Sequence, residues 1–290
     1  MQELTPAMLD EWLRKLLQTG LSRNTLSAVH TLLNNALNYA VYPVQLINSN
    51  PAAYIKVPKN APRNVVKRHI ITPERFAALL KKYPFGSPPY IPLLLLYHTG
   101  MRVGEVLGLT WDDVDFAGKS LKITRQVVYV NGKKDCLTTP KTATRERTVL
   151  VDDFLLSELA RWQDQQKGNE IRFGERYVYA YCNEQRQIVR QSKAILLDAE
   201  KIAFVCTREK GQPVQKKFIS KYLRLEGLNA HSFRHTHITQ LIENGAPAKG
   251  VAERLGHADV SITQNLHTHH TKKMQTDTLA VFVENLQTSI

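Results

Sequence analysis

At 290 residues, with 43% hydrophobic and 22% charged residues, the chain has an ordinary globular composition and enough length for two domains. Its longest apolar run, near Leu93–Leu96, is far too short to cross a bilayer, and no secretory leader pattern opens the sequence, so no membrane partner is expected. The dispersed cysteines Cys136, Cys182 and Cys206 lack metal-ligand spacing and fit reduced thiols in the cytoplasm, while a formal net charge of +13 favours a polyanion whose counterions are released on binding.

Residues 5–17 predict a helix. Thr5 is placed to cap it and Pro6 to start it, with Leu9, Trp12, Leu13 and Leu16 on one face and Gly20 as its stop. Ser22 then caps a longer helix whose stripe is Leu26, Val29, Leu33, Ala36, Leu37 and Ala40, ending before Pro43. Residues 1–55 therefore read as a small helical unit. Residues 56–70 carry two prolines with Lys56, Lys59, Arg63, Lys67 and Arg68 and read as an extended basic linker, either simply solvated or crossing a nucleic-acid backbone.

A second domain over 71–290 opens on Thr72-Pro73-Glu74, an N-cap, a proline and an acidic first turn. The apolar stretch Pro89–His98 predicts a buried helix closed by Gly100. A further helix begins around Arg102, with Arg102 and Glu105 sharing a face. Residues 119–150 change period: KSLKITRQVVYV alternates, Asn131-Gly132 is a hairpin turn signal, and a return strand follows. PKTATRERTVLV then places Lys141 in a polar turn before a third short strand. Beyond Asp152 the pattern is helical again, with a short strand at Tyr177–Tyr181 and helices over 216–225, 232–244, 247–255 and 261–267. Leu279, Phe282, Val283 and Leu286 mark an amphipathic C-terminal helix. The expected fold is mainly α with a small antiparallel β-hairpin or sheet, in two domains.

Between Ala230 and Thr271 the chain concentrates His231, His235, His237, His257, His267, His269 and His270. His231 and His235 share a helix face as zinc ligands often do, but no glutamate follows as in H-E-x-x-H, no cysteine lies near, and the neighbouring arginines repel a cation. No metal is expected. Plain packing suits His30 and His98, and His235 and His237 also read as structural. A phosphate site uses the remaining features. Paired arginines hold the non-bridging oxygens of a phosphodiester, and fixed cations stabilise the charge that builds on a pentacoordinate phosphorus. Histidines supply hydrogen bonds and proton transfer near neutral pH, and a lysine can protonate a leaving alkoxide. Arg102, Lys141, His231, Arg234 and His257 form such a set.

At HTGMRVGEVLGLTWDDVD, PKT, HSFRHTH and LGHADVSITQNLHTH the chain resembles the tyrosine recombinase (phage-type integrase) family. The resemblance covers the whole second domain, and the helices of residues 5–50 are similar to part of the family's core-binding domain. It implies a helical core-binding domain and a catalytic domain clamped around double-stranded DNA, a homotetramer formed through the C-terminal exchange helix, and no metal or other cofactor. It also implies that Arg102 and Arg234 clamp the scissile phosphate and that Lys141 is the general acid. His231 and His257 would assist by hydrogen bonding and proton transfer, with Glu105 in support. Arg23 and Asn24 near a helix start, and Lys59, Lys67 and Arg68 of the linker, are the expected DNA contacts.

Two positions depart from the family pattern. Its nucleophile is a tyrosine eleven residues after the glycine of LGH, where this chain has His267, and no tyrosine follows Tyr222. An imidazole is shorter than a phenol by roughly 1–2 Å, enough to disturb in-line attack. Strand cleavage through a covalent 3′-phospho-protein link is therefore expected to be impaired. A DNA-binding protein without cleavage is the alternative reading, and a metal-dependent nuclease lacks its carboxylate cluster. The second departure is at the front, where an arm-binding domain and one more helix usually precede the point matching Leu4; a truncated N-terminus is expected.

Overall fold

The computed structural model describes residues 4–62, 70–130, 134–139, 146–192 and 199–256. The chain divides into two compact units, Met1–Lys67 and Arg68–Ile290.

In the first unit, α1 (Pro6–Gln18) and α2 (Arg23–Val41) start where their caps dictate. The Thr5 hydroxyl accepts from Met8 N–H and the Ser22 hydroxyl from Thr25 N–H, satisfying amide donors that have no partner inside the helix. Leu9, Leu37 and Ala52 form one small buried cluster and Leu13, Leu26 and Ala61 another. The segment after α2 folds back through Asn50, whose amide donates to Asn34 Oδ1 and Asn38 Oδ1, both at 2.7 Å. Ile55, Val57 and Ala61 pack against α1 and α2. One expectation needs correction. Trp12 and Ala36, assigned to the apolar faces, are exposed, because this small unit covers only the Leu9–Leu13 edge of α1 and the Leu26, Leu37 and Ala40 edge of α2.

The second unit is built around α4 (Tyr90–Thr99), in which Ile91 and Leu93–Leu96 are all at most 3% exposed. A helix apolar on every side can only be stable inside a core. Around it pack α3 (Pro73–Lys82), whose Phe76 stacks on Tyr97 at 3.8 Å, α6 (Asp153–Phe173) through Leu155, Leu159 and Trp162, and α8 (Ala230–Glu243) through Phe233. The short α5 (Val103–Gly108) follows α4 directly. An added Cβ on Gly104 or Gly108 would come within 2.9 Å of the backbone of Val127 or Gln126, so this helix lies hard against a strand.

The alternating stretch after Lys119 is not one strand. β1 (Val114–Asp115), β2 (Ser120–Ile123) and β5 (Arg147–Leu150) make one antiparallel sheet, and β3 (Gln126–Val130) with β4 (Lys134–Thr138) makes a separate hairpin. The break is pinned by buried Asp113, whose Oδ1 accepts from the Thr124 hydroxyl and from Arg125 Nη2, both at 3.3 Å. A third sheet, in the order β7-β6-β8, comprises β6 (Val178–Cys182), β7 (Ile188–Ser192) and β8 (Glu200–Ile202); only β6 was expected from sequence. After it come α7 (Lys216–Leu225), α8 and α9 (Ala248–Leu255). The architecture is mainly α with small antiparallel sheets.

Candidate active site

The site starts at the elbow between α4 and α5. Gly100 takes the left-handed conformation, φ 64°, that ends α4, and Arg102 occupies the N-cap of α5. The Arg102 amide donates to Glu105 Oε2 at 2.9 Å, and its guanidinium Nη1 donates to Oε1 at 2.9 Å. Glu105 therefore meets both the backbone and the side chain of Arg102, which fixes the direction in which that side chain leaves the elbow. Arg147, the first residue of β5, closes on the same carboxylate, with Nη2 2.8 Å from Oε2 and Nη1 3.4 Å from Oε1. Burial acts to raise the Glu105 carboxyl, but the hydrogen bonds and charges of Arg147 and then Arg102 outweigh it, so its pKa lies below the ordinary value. Glu105 is ionised at neutral pH.

Arg234 reaches the elbow from α8. Its Nη1 donates to Gly100 O at 2.9 Å and its Nη2 to Leu255 O at 2.8 Å, so the guanidinium bridges the C-terminal ends of α4 and α9. Carbonyls at helix C-termini lack intrahelical donors and carry the negative end of the helix dipole, which makes them natural partners for a buried cation. Desolvation, with Arg102 adding repulsion and Glu105 opposing it, lowers the Arg234 pKa to about 9, and the group remains charged at neutral pH. His231, one turn earlier on α8, is exposed. Desolvation of its ring, then the charges of Arg234, Lys216 and Arg102, lower its pKa, so the imidazole is neutral and able to hydrogen-bond or take up a proton. Among the described residues the carboxylate hydrogen-bonded to Arg102 and Arg147 is Glu105, and with Arg234 close by the balance of charge there is positive.

A second layer supports the first. His237 pairs through Nδ1 with Tyr97 O at 3.0 Å, and its Nε2 accepts from Arg254 Nε at 3.1 Å. Arg254 also donates to Leu150 O at 2.8 Å and to His98 O at 3.2 Å, fastening α9 to β5 and to the end of α4. Burial and then Arg254 push the His237 pKa down to about 4. His237 is structural, as expected from sequence. His98 is not the plain core residue expected: its half-buried ring pairs with Asp152 Oδ2 at 2.7 Å across to the start of α6. A polar partner was available because Asp152, the N-cap of that helix, points back towards α4.

Two expected outcomes follow from this layer. Neutral His237 contributes stability that is complete above the ordinary histidine pKa of 6.5 and is lost as pH falls from there to about 4. The full effect is roughly 3 kcal/mol, of which about 2 kcal/mol disappears between pH 7 and pH 5. Urea unfolding at those two pH values should show this loss in the parent and a flatter profile in His237→Gln, whose amide can still donate and accept. A Cβ at Gly100 would meet His237 Cδ2 at 2.8 Å and Leu255 Cδ2 at 2.9 Å, in a conformation that costs an L-residue about 1–2 kcal/mol by itself. Gly100→Ala should therefore lower the unfolding free energy by more than about 2 kcal/mol, and equal melting curves would show that the elbow has room to give.

Of the residues selected from sequence, the structure brings Arg102, Glu105, His231 and Arg234 together. Lys141, His257 and His267 lie outside the described residues, as do Lys67 and Arg68. In the first unit Asn24 and Lys59 are exposed, while Arg23 donates through Nη1 to the carbonyl of Lys59 at 3.1 Å and is partly engaged in holding the chain there. Arg147 and Arg254 were missed. Their partners are a carboxylate 42 residues away and backbone carbonyls 104 and 156 residues away, and neither kind of partner marks the local sequence.

The domain is mainly helical with small antiparallel sheets, and it carries an arginine cluster at a helix elbow with a chemistry suited to an anion. Residues 73–274 match the phage integrase family. The chain is 31% identical over 286 residues to a XerC-like tyrosine recombinase of Caldanaerobacter subterraneus subsp. tengcongensis, covering 93% of this chain and 68% of that one. It is 26% identical over 269 residues to the ICEBs1 integrase of Bacillus subtilis, covering 92% and 67%. Among solved structures, the Tn1549 transposon integrase in complex with a circular intermediate DNA aligns with a TM-score of 0.71 at 18% identity, over 97% of this chain and 86% of that one, and so shares its fold. The chain belongs to the phage integrase family, the tyrosine recombinases, enzymes of site-specific DNA recombination.

Proposed function

We propose that this chain binds duplex DNA at a core site of a mobile element, with one phosphodiester seated between Arg102 and Arg234, and that it recombines such sites poorly or not at all as it stands. The observation that carries this reading is the arginine cluster itself: cations fixed by backbone and carboxylate partners, with a positive balance of charge, where a phosphate could take the remaining donors. The net charge of +13 adds sequence-independent affinity.

In the full reaction a nucleophile on the segment after α9 attacks phosphorus, the P–O5′ bond breaks, and the leaving oxygen takes a proton from Lys141. His231 and His257 hydrogen-bond the phosphate and carry the nucleophile's proton, while Glu105 orients Arg102. His267 stands where a phenol would attack, which is why cleavage is expected to be impaired. By analogy with the recombinases of its family the chain would act in the cytoplasm as a homotetramer on two DNA sites, exchanging its C-terminal helix between protomers. Arg23, Asn24, Lys59, Lys67 and Arg68 would contact the backbone of the flanking DNA. A helical core-binding domain, a basic connector and a catalytic domain would divide that work.

The test is selection of duplexes from a random pool. Enrichment of a defined, inverted pair of half-sites, with affinity falling steeply as salt rises, is the expected result. Failure to enrich any duplex would overturn the reading. Binding without cleavage, even after the nucleophile is supplied, would favour the alternative of a DNA-binding remnant.

A further inference from the structure

Exposure falls sharply through the arginine–carboxylate chain. The Arg102 side chain is 31% exposed, the Glu105 side chain 4% and the Arg147 side chain 7%. Arg147 is thus too deep to touch a bound phosphate, yet it makes the two-pronged contact with Glu105, while Arg102 gives that carboxylate a single guanidinium N–H. The remaining guanidinium N–H groups of Arg102 have no partner among the described residues. Arg147 is itself immobilised, since its Nε donates to Arg254 O at 2.8 Å, at the C-terminal end of α9.

We propose that Arg147 is a positioning residue: by occupying the fork of Glu105 it keeps Arg102 from folding into a closed pair with that carboxylate and leaves the outer donors of Arg102 for phosphate. The inference rests on the phosphate-binding reading above. Its physical basis is competition for one carboxylate. A buried carboxylate with one remaining arginine draws that arginine into the bidentate geometry both groups prefer, and the pair then presents little charge outward. With Arg147 present, two guanidiniums share Glu105, so the cluster stays positive and Arg102 stays extended. The link to α9 adds direction, because the strand that begins with Arg147 and the helix that supplies the Leu255 carbonyl to Arg234 are then held at one spacing.

The test is titration of the full chain, labelled with 15N-arginine, with inorganic phosphate, following the side-chain Nε–H signals of Arg102 and Arg234. Each signal is assigned by its disappearance in Arg102→Lys or Arg234→Lys. In the parent both signals should move. In Arg147→Met the Arg102 response should need at least tenfold more phosphate while Arg234 still responds. The double variant Glu105→Gln/Arg147→Met has no carboxylate to capture Arg102 but also lacks the carboxylate that orients it, so its Arg102 response should recover to a value between those of Arg147→Met and the parent. An unchanged Arg102 response in Arg147→Met overturns the inference. Should Arg147→Met alone unfold, the double variant decides: a silent Arg102 beside a responding Arg234 overturns it. No response to phosphate from either arginine in the parent would instead sink the phosphate-binding reading on which it rests.

Discussion

Replacing His267 by tyrosine is expected to turn a chain that leaves a nicked duplex intact into one that becomes covalently attached to it, with a gain on the order of 10⁴-fold or more in the rate of attachment. The chemistry sets this size. A phenol oxygen attacking phosphorus forms a phosphodiester to the protein and expels a 5′-hydroxyl strand. If the nick lies just downstream, that short strand dissociates and the adduct accumulates. Imidazole places its nitrogen roughly 1–2 Å short of a phenol's oxygen, and near-attack geometry tolerates little error. The rest of the proposed apparatus, Arg102, His231 and Arg234, is unaffected by the change. Denaturing gels of parent and His267→Tyr on a selected, nicked duplex give the readout. An acid-labile adduct in the parent at a similar rate would mean that the histidine itself attacks through a phosphoramidate link, and the impaired reading would fall.

Glu105→Ala should be the most destabilising single change at the elbow. It removes the carboxylate shared by Arg147 and by the amide and guanidinium of Arg102, at a position only 4% exposed. Removing one side of such a buried ionic group costs about 3–5 kcal/mol, because the remaining charges stay desolvated. For a unit of this size that corresponds to a fall in Tm on the order of 10 °C. The pH dependence has the opposite origin from that of His237 but the same sign. The Glu105 carboxyl titrates below its ordinary value of 4.5, so its contribution is complete above 4.5 and is lost as pH falls through the lower folded value. Thermal melts of the parent should lose stability in that acid range, and Glu105→Gln, which cannot ionise, should lose less there. A variant melting with the parent at pH 7 would show that solvent, not Glu105, neutralises these arginines.

Much of the fold was legible because its signals are local. The caps Thr5, Ser22, Thr72 and Asp152 each accept a backbone N–H at the helix start that the sequence marks. The largely apolar α4 and the pairing of β3 with β4 were equally plain. Arg102, His231 and Arg234, and Glu105 through the family resemblance, could be singled out because each lies within a short unbroken motif. What escaped depends on distant partners. The division of residues 120–130 between two sheets is imposed by Asp113, whose side chain reaches Thr124 and Arg125 only in the folded chain. β7 and β8 are short and carry charged residues, so their pattern resembles a loop. Arg147 and Arg254 look like any surface arginine in the sequence; the helix-end carbonyls they hold leave no trace in it.

The clamp on a single phosphate is tested most directly by a scan in which each phosphate of a selected duplex is replaced, one at a time, by a neutral methylphosphonate. One position per half-site should weaken binding of the parent by roughly 10–100-fold, the worth of a charge-assisted hydrogen-bonded pair. At that position Arg102→Ala, whose loss leaves Glu105 paired with Arg147 and Arg234 still on the phosphate, should discriminate between the modified and unmodified duplexes clearly less than the parent does. If no position behaves this way, or if Arg102→Ala remains as sensitive as the parent everywhere, Arg102 does not hold a DNA phosphate.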